Sequence, residues 1–467
     1  MPAVENIELA LPAPAAAGIF PAGRGLRAML TASPLASRLV SGAFWSVWGA
    51  GLTKVIALAC SVAVARLLGK EGFGLYGALA GTLGMFQVFS GFGLTSTANK
   101  YVAELRSSDA KRAGCIVGMS AATGVLSGLI VSAVVFAMAP WLAEHVLASP
   151  ALTWPLRIGA GFILFSSIGC AAVGALSGLE AFRRLARVSL VAGLVTAPLT
   201  IASVWWGGLT GAAWSFSLGA ALTLALQIAA LRREASKAGL HISLAGWRNE
   251  LRVLWRYSLP ALLGALVISP VLWACTVMLV NQPGGYAEMG IYNAAFQWRT
   301  AILFLPMAMG NMSLSVLSCL RGEGDPRRYG KALACNLIAN AGLAALPALG
   351  VALLAPEILG LYGEGFAGRG TVLAVLVASC VVHAPALTLC QALASMGRMW
   401  TVFAVNLLWA AVLLGTTAAT LHLRATGLGL GILAAYTTQL LVTGLAVWIL
   451  LRRWKSAAAS RGEAVET

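Results

Sequence analysis

The feature that most constrains this chain is a series of apolar segments, each about 20 residues or more in length. An α-helix rises about 1.5 Å per residue, so about 20 apolar residues cross the roughly 30 Å of hydrocarbon in a bilayer. Hydrophobic residues form 59% of the 467 residues and charged residues only 10%, whereas soluble domains have about 45–50% and about 25%. The sequence therefore predicts an all-α polytopic membrane protein and excludes an ordinary soluble enzyme.

Twelve transmembrane helices are predicted from hydropathy and from the residues that break helices between the apolar segments. They are expected near 42–64, 75–98, 114–138, 156–177, 188–207, 209–230, 257–280, 290–318, 331–354, 369–392, 400–421 and 427–451. We expect them to form two lobes between polar segments. The expected divisions are an N-terminal tail over 1–40, an N-lobe over 41–230, a connector over 231–256, a C-lobe over 257–452 and a C-terminal tail over 453–467.

The distribution of Lys and Arg predicts the orientation in the membrane. A net charge of +16 would suggest nucleic acid as a partner of a soluble protein, but these cations lie between apolar segments. Cytoplasmic loops carry the excess of Lys and Arg, and 25 of the 32 fall on one side if the N-terminus is inside. We therefore predict cytoplasmic termini, attraction to anionic membrane lipids and no nucleic-acid partner.

The two halves of the sequence match at a constant offset of 216 positions. The matching pairs are Gly74 and Gly290, Tyr76 and Tyr292, Asp109 and Asp325, and Gly211 and Gly427. Many transporters are internal duplications of this kind. Because each repeat holds an even number of helices, both halves have the same orientation. The prediction is two pseudo-symmetric six-helix lobes, related by an axis along the membrane normal.

The connector between the lobes has an amphipathic pattern. Apolar residues at helical spacing are Leu240, Leu244, Trp247, Leu251 and Leu254, and beside them lie Arg248, Arg252 and Arg256. This pattern predicts a cytoplasmic helix lying on the inner leaflet. The alternative is a soluble helical linker.

Residues 64–104, VARLLGKEGFGLYGALAGTLGMFQVFSGFGLTSTANKYVAE, resemble the N-terminal region of bacterial lipid-linked oligosaccharide flippases. These are the Wzx-type O-antigen and exopolysaccharide exporters of the MOP superfamily, which includes MATE transporters and lipid II flippases. The resemblance implies a V-shaped pair of lobes around a cavity that opens alternately to each side. It also implies a polyprenyl-diphosphate-linked oligosaccharide as cargo, a bacterial inner-membrane location, and a place beside other polysaccharide assembly proteins.

Two cations, Lys54 and Arg299, fall inside predicted membrane helices. A charge at mid-bilayer costs about 2.5–3.5 kcal/mol on insertion scales, and every carboxylate falls in a tail, a loop or a helix end. Because the two cations belong to different lobes, we expect them to face one water-filled cavity that binds an anion such as a diphosphate. The alternative is that they reach an interface or cap helix carbonyls.

Polar residues and prolines within the apolar segments give further candidates. Gln297, Asn336 and Asn340 are expected to bind sugar hydroxyls, although such groups serve equally well in hydrogen bonds between helices. Pro260 and Pro270 make the seventh helix the preferred hinge. His383 has no visible partner, so we expect a packing role for it. Neither a metal site nor a cofactor is predicted, because the eight cysteines are scattered without a paired motif.

Transport is the function class that these observations favour. A multidrug cation antiporter of the same superfamily would need acidic groups within the membrane, and the sequence has none there. A membrane-embedded glycan polymerase or ligase would need reactive side chains in an outer loop, where the largest loop offers only Glu144 and His145. We therefore predict an exporter that is not an enzyme. Export of an anion would be assisted by the membrane potential.

Overall fold

The computed structural model describes residues 34–91, 93–106, 108–244 and 259–466, and every regular element within these ranges is helical. Two long segments, Pro34–Gly91 and Phe182–Lys237, each contain a break in helical geometry, at Gly69 and Gly208. The membrane helices are α1 (34–68), α2 (70–91, continued by Leu94–Leu105), α3 (Ala110–Trp141), α4 (Thr153–Gly178), α5 (182–207), α6 (209–237), α7 (Leu259–Val280), α8 (Gly285–Gly322), α9 (Pro326–Leu353), α10 (Gly370–Ser395), α11 (Met399–Ala419) and α12 (Arg424–Glu466).

The predicted set of twelve helices in two six-helix lobes is confirmed. Eight described segments are long and apolar enough to cross a membrane, and the breaks at Gly69 and Gly208 divide two of these segments into pairs. With α7 and α8, the described helices number twelve. Short helical turns, Leu142–Val146, Pro150–Leu152, Ala355–Gly360, Glu364–Phe366 and Leu421–Leu423, complete the connections.

Several helices are longer than hydropathy predicts. α1 begins at Pro34 and α12 ends at Glu466, so parts of both expected tails are helical. α6 likewise extends to Lys237, into the expected connector. Hydropathy marks where apolar sequence ends, whereas a helix continues into polar sequence that still favours helical geometry.

The repeat pairs occupy equivalent structural positions. Asp109 caps α3 by accepting a 3.0 Å hydrogen bond from the backbone N–H of Arg112. Asp325 caps α9 in the same way, accepting from Arg328 at 3.1 Å and Arg327 at 2.8 Å. These backbone hydrogen bonds lower the pKa of Asp325, and the bond from Arg328 has the largest effect. The 216-residue offset therefore reflects repeated helix-starting signals.

The two lobes meet at the face that carries the turn between α1 and α2, which we call the α1–α2 face. Here Arg66 Nε donates a 2.6 Å hydrogen bond to the carbonyl of Leu361, and the hydroxyls of Ser61 and Tyr362 lie 3.1 Å apart. Asn281 Nδ2 donates to the carbonyl of Val146 at 2.8 Å. The lobes are thus joined by direct polar contacts along this face.

Helices α2 and α8 cross at the α1–α2 face at close distance. A Cβ added at Gly74 would overlap the carbonyl oxygen of Tyr286, and a Cβ added at Gly290 would overlap that of Lys70. The two backbones therefore touch only because both positions are glycine. Since Gly74 and Gly290 are a repeat pair, the crossing lies on the pseudo-two-fold axis of the duplication.

Residues 240–244 of the connector do not form the expected amphipathic helix. α6 ends before Gly239, whose φ is +66°, and residues 240–244 have no helical structure. Their backbone lies against α3, where Gly114 faces the carbonyl of His241 and Gly118 faces that of Ser243. Leu240 and Leu244 therefore lie in irregular chain packed against a helix. The remaining residues of the predicted pattern, from Trp247 to Arg256, lie outside the described residues.

Candidate functional site

A cavity of about 590 Å³ lies between α1 of the N-lobe and α8, α10 and α12 of the C-lobe. It is lined by both predicted cations and by four further polar or aromatic residues. These residues are Lys54, Arg299, Thr300, His383, Gln391 and Tyr436. Leu, Phe, Met and Ala side chains complete the lining, and no Asp or Glu is among the described lining residues. The structure thus brings two residues 245 positions apart to one cavity.

Arg299 lies at the cavity wall and is only 5% exposed. Its Nε donates a 2.9 Å hydrogen bond to Ser379 Oγ, and its Nη2 lies 3.1 Å from Nδ1 of His383. A guanidinium can only donate hydrogen bonds, so this nitrogen of His383 accepts and carries no proton. The two bonds use two of the five N–H donors of Arg299.

Aromatic rings flank the same guanidinium. Its central carbon lies 5.0 Å from the ring centre of Tyr436 and 5.5 Å from that of Phe296, within the range of cation–π attraction. The His383 ring stacks on Tyr436 with centres 3.8 Å apart. These contacts stabilise the positive charge without neutralising it.

Lys54 lies on α1 and is exposed. Within the described part of the chain it makes no hydrogen bond or ion pair, so its ammonium group is available to a ligand. An ammonium and a guanidinium that line one cavity can both bind phosphate oxygens by charge-assisted hydrogen bonds. The cavity is therefore suited to an anion.

Glu288, the carboxylate of α8, lies away from this cavity and pairs with other cations. Glu288 lies in the first turn of α8 and is 3% exposed. It accepts a 2.9 Å hydrogen bond from Arg369 and lies 3.7 Å from Arg424. At about 1.5 Å per residue it is roughly 16 Å along the helix from Arg299. Glu288 therefore forms a salt bridge near the end of the bundle.

The other predicted ligands lie away from this cavity. Gln297 is half-buried and is not among the lining residues. Asn336 Nδ2 donates to Ser313 Oγ at 2.7 Å, and Asn340 Nδ2 donates to Asn336 Oδ1 at 2.7 Å and to Thr388 Oγ1 at 3.1 Å. The asparagines therefore link α9 to α8 and α10. Their proposed contact with sugar stays a prediction.

The two candidate hinge prolines occupy different positions in α7. Pro260 is the second described residue of α7, and Pro270 lies in the helix interior. α7 is continuous across both residues. The assignment of a hinge to α7 stays a prediction.

Sequence reasoning missed the surroundings of Arg299. His383 was expected in a packing role, and Ser379 and Tyr436 were not singled out. All three contact the guanidinium or its neighbours. They lie 80 or more positions from Arg299 on other helices, so only the fold places them together. The one available signal was an imidazole within an apolar segment.

Comparison with known proteins places the chain in a family. The family described as "Polysaccharide biosynthesis protein" matches residues 39–313. The chain is 30% identical over 202 residues to the EPS I polysaccharide export inner membrane protein EpsE of Ralstonia solanacearum, covering 42% of this chain and 45% of that protein. The EpsE protein of Ralstonia nicotianae is 28% identical over 200 residues, again covering 45% of its length. The chain thus matches a little under half of the length of these relatives.

Solved structures share the fold at low sequence identity. An inward-facing multidrug resistance MATE family transporter of the MOP superfamily matches with a TM-score of 0.74 and 15% identity, covering 86% of this chain and 96% of that one. A MOP superfamily transporter from Pyrococcus furiosus, described as having a binding pocket of reverse polarity, matches with a TM-score of 0.64 and 16% identity, covering 90% and 96%. The chain therefore belongs to the polysaccharide biosynthesis protein family and has the fold of MATE transporters.

Proposed function

We propose that this protein is a flippase of the bacterial inner membrane. It carries a polyprenyl-diphosphate-linked oligosaccharide from the inner to the outer leaflet for surface polysaccharide assembly. Its family and the export role named for its relatives support the cargo class. Both termini are cytoplasmic in this proposal, as the distribution of Lys and Arg predicts.

The observation that carries the proposal is the placement of Lys54 and Arg299 on one cavity whose described lining has no carboxylate. The diphosphate of the cargo supplies the missing negative charge. The contacts between the lobes at the α1–α2 face close that face, which is the outer face in the proposed orientation. Transport then proceeds by alternating access, with the lobes separating at that face to release the cargo.

Replacing the cations tests this proposal. We expect Lys54→Gln and Arg299→Gln each to reduce glycan export at least tenfold in a strain lacking the native transporter, because charge-assisted bonds to phosphate contribute about 1.5–3 kcal/mol each. The matched control is Lys331→Gln, since Lys331 is an exposed lysine at the start of α9. Membrane levels of each variant are measured by immunoblot. Full export by both cavity variants would refute the anion site.

A cation-coupled multidrug antiporter is the alternative that the fold supports. The charges of the described cavity argue against it, because Lys54 and Arg299 repel a cationic drug. Uptake of ethidium into inside-out vesicles separates the two functions. The flippase proposal expects no uptake above that of vesicles without the protein.

A glycan polymerase or ligase is less well supported. Glu144 and His145 lie in a short helical turn after α3, where the His145 ring stacks on that of Trp141. We propose that the chain is a transporter and not an enzyme. Its partners are the lipid-linked glycan, the membrane lipids and other polysaccharide assembly proteins.

A further inference from the structure

A second cavity, of about 440 Å³, lies within the N-lobe between α2, α4, α5 and α6. Its polar lining is made of hydroxyl groups, the thiol of Cys170 and one carboxamide, and it includes Ser166, Thr200, Thr223 and Gln227. None of the described lining residues is charged. The volume is within the range of about 300–1,000 Å³ that is typical of small-ligand sites.

The repeat relates one part of this cavity's wall to the wall of the cationic one. The fourth and sixth helices of the N-lobe line it, as the fourth and sixth helices of the C-lobe, α10 and α12, line the other. Ala220 lines the N-lobe cavity, and Tyr436, 216 positions later, lines the cationic cavity. At this repeat pair the duplicated fold lines a neutral cavity with a small side chain and a cationic cavity with an aromatic one.

The hydroxyls of the neutral cavity retain capacity to accept hydrogen bonds. Thr200 Oγ1 donates to the carbonyl of Thr196 at 2.8 Å, and Thr223 Oγ1 donates to that of Gly219 at 2.7 Å. Each of these hydroxyls thus uses its proton within its own helix, and its oxygen can accept from a ligand. The carboxamide of Gln227 adds N–H donors. The matching ligand carries many groups that both donate and accept, as sugar hydroxyls do.

The cavity also offers aromatic surface. Phe162 and Phe216 both line it, with ring centres 6.2 Å apart in an edge-to-face arrangement. A sugar ring has hydroxyls at its rim and C–H groups on its faces, so it fits aromatic surface and hydroxyl groups together. A polyprenyl chain would leave the cavity's hydroxyl and amide groups without partners, which is costly.

We propose that the N-lobe cavity binds neutral sugar residues of the cargo, while Lys54 and Arg299 bind its diphosphate. This inference rests on the proposed flippase function and assigns the two parts of one cargo to two separate cavities. The two cavities then have different roles. The charged cavity binds the diphosphate of any lipid-linked cargo, whereas the neutral cavity selects the glycan.

Replacing hydrogen-bonding side chains of the N-lobe cavity by apolar ones tests the sugar site. Thr200→Val and Thr223→Val, singly and together, exchange a hydroxyl for a methyl group at nearly constant volume. Gln227→Leu removes the carboxamide. The matched control is Thr437→Val, since Thr437 on α12 makes the same bond to a carbonyl four residues earlier, at 2.7 Å, and is not among the described residues that line either cavity. Two measurements are made on each variant. They are glycan export in the deletion strain and binding of sugar-free undecaprenyl diphosphate to the purified protein.

We expect the double threonine variant and Gln227→Leu to lose export at least tenfold while binding undecaprenyl diphosphate within twofold of the unchanged protein. Lys54→Gln should weaken both measurements, and Thr437→Val neither. Unchanged export in the N-lobe variants, or an equal loss of affinity for the sugar-free lipid, would overturn the sugar site. Unchanged binding and export in both Lys54→Gln and Arg299→Gln would instead refute the anion site that carries the flippase proposal. If the double variant is unstable, the same two measurements on the single variants test the sugar site.

Discussion

Arg299 is held by a neutral imidazole where a carboxylate would be the commoner partner. His383 Nδ1 accepts from the guanidinium at 3.1 Å without adding negative charge. A carboxylate at this position would bind more strongly, but it would neutralise the guanidinium and compete with an anionic cargo. A neutral acceptor therefore fixes the orientation of Arg299 and leaves its positive charge available.

Substitution of His383 separates its two contacts with the site. His383→Gln retains an oxygen that can accept from Arg299, whereas His383→Phe retains stacking on Tyr436 and loses the acceptor. A hydrogen bond to a charged group contributes about 1.5–3 kcal/mol, so we expect His383→Phe to reduce export and undecaprenyl diphosphate affinity roughly tenfold. His383→Gln should retain most of both.

The outcome that would contradict this role is a larger loss in His383→Gln than in His383→Phe. That result would make ring stacking the dominant contribution of His383. The amount of each variant in the membrane is measured alongside, because a fall in protein level lowers export without any change in affinity.

How much of the site the sequence reveals depends on the kind of residue. Lys54 and Arg299 are evident from the sequence alone, because a charged residue within an apolar segment is rare and costly. Asn336 and Asn340 were found for the same reason, but polar residues that bond across helices look identical in sequence to those that face a cavity. The direction in which a side chain points is set by packing between helices distant in sequence.

At the scale of elements, the α2–α8 crossing depends on two glycines from the duplicated motif. Gly74 and Gly290 allow the backbones of two lobes to touch at the α1–α2 face. A crossing built from backbone contact has few side chains to separate when the lobes part. We therefore assign to these glycines the closure of that face rather than ligand binding.

Gly74→Ala tests the crossing. Its Cβ would overlap the carbonyl oxygen of Tyr286, and overpacking of this kind costs typically about 1–3 kcal/mol. We expect a lower midpoint temperature of thermal unfolding in detergent and reduced export. The matched control is Gly81→Ala on the same helix, where a Cβ meets nothing within 4 Å. Equal stability and export in the two variants would show that the α2–α8 crossing does not depend on close contact between the two backbones.

Element number was predictable and element boundaries were not. Each apolar segment that spans the membrane must be helical, because backbone N–H and C=O groups without hydrogen bonds are too costly in lipid. The number of apolar segments therefore predicts the number of helices. The extension of α6 to Lys237 lies in polar sequence, where hydropathy carries no information. Residues 240–244 are predicted as helix from their apolar spacing, but they form irregular chain whose backbone lies against Gly114 and Gly118 of α3. Such contacts are tertiary and leave no local signal.

At the scale of the whole molecule, the duplicated fold places unlike chemistry at related positions. The C-lobe cavity combines Arg299 with Lys54 of α1, so both lobes contribute to the cationic site. Movement of one lobe against the other therefore changes the distance between the two cations. A diphosphate held between them links cargo binding to the arrangement of the lobes.

The charge of the cavity predicts which step of transport depends on the membrane potential. A bound diphosphate with about two negative charges balances Lys54 and Arg299, whereas the empty cavity is positive. Moving a charge through the full potential is worth about 2.3 kcal/mol per 100 mV, and a negative interior favours return of the empty, positive site. We expect valinomycin with equal potassium to slow repeated export in vesicles and to leave a single turnover unchanged. Nigericin, which removes only the pH gradient when potassium is present, should change neither rate, and Lys54→Gln should reduce the dependence on potential. A repeated-export rate that is the same with and without the potential would exclude this coupling.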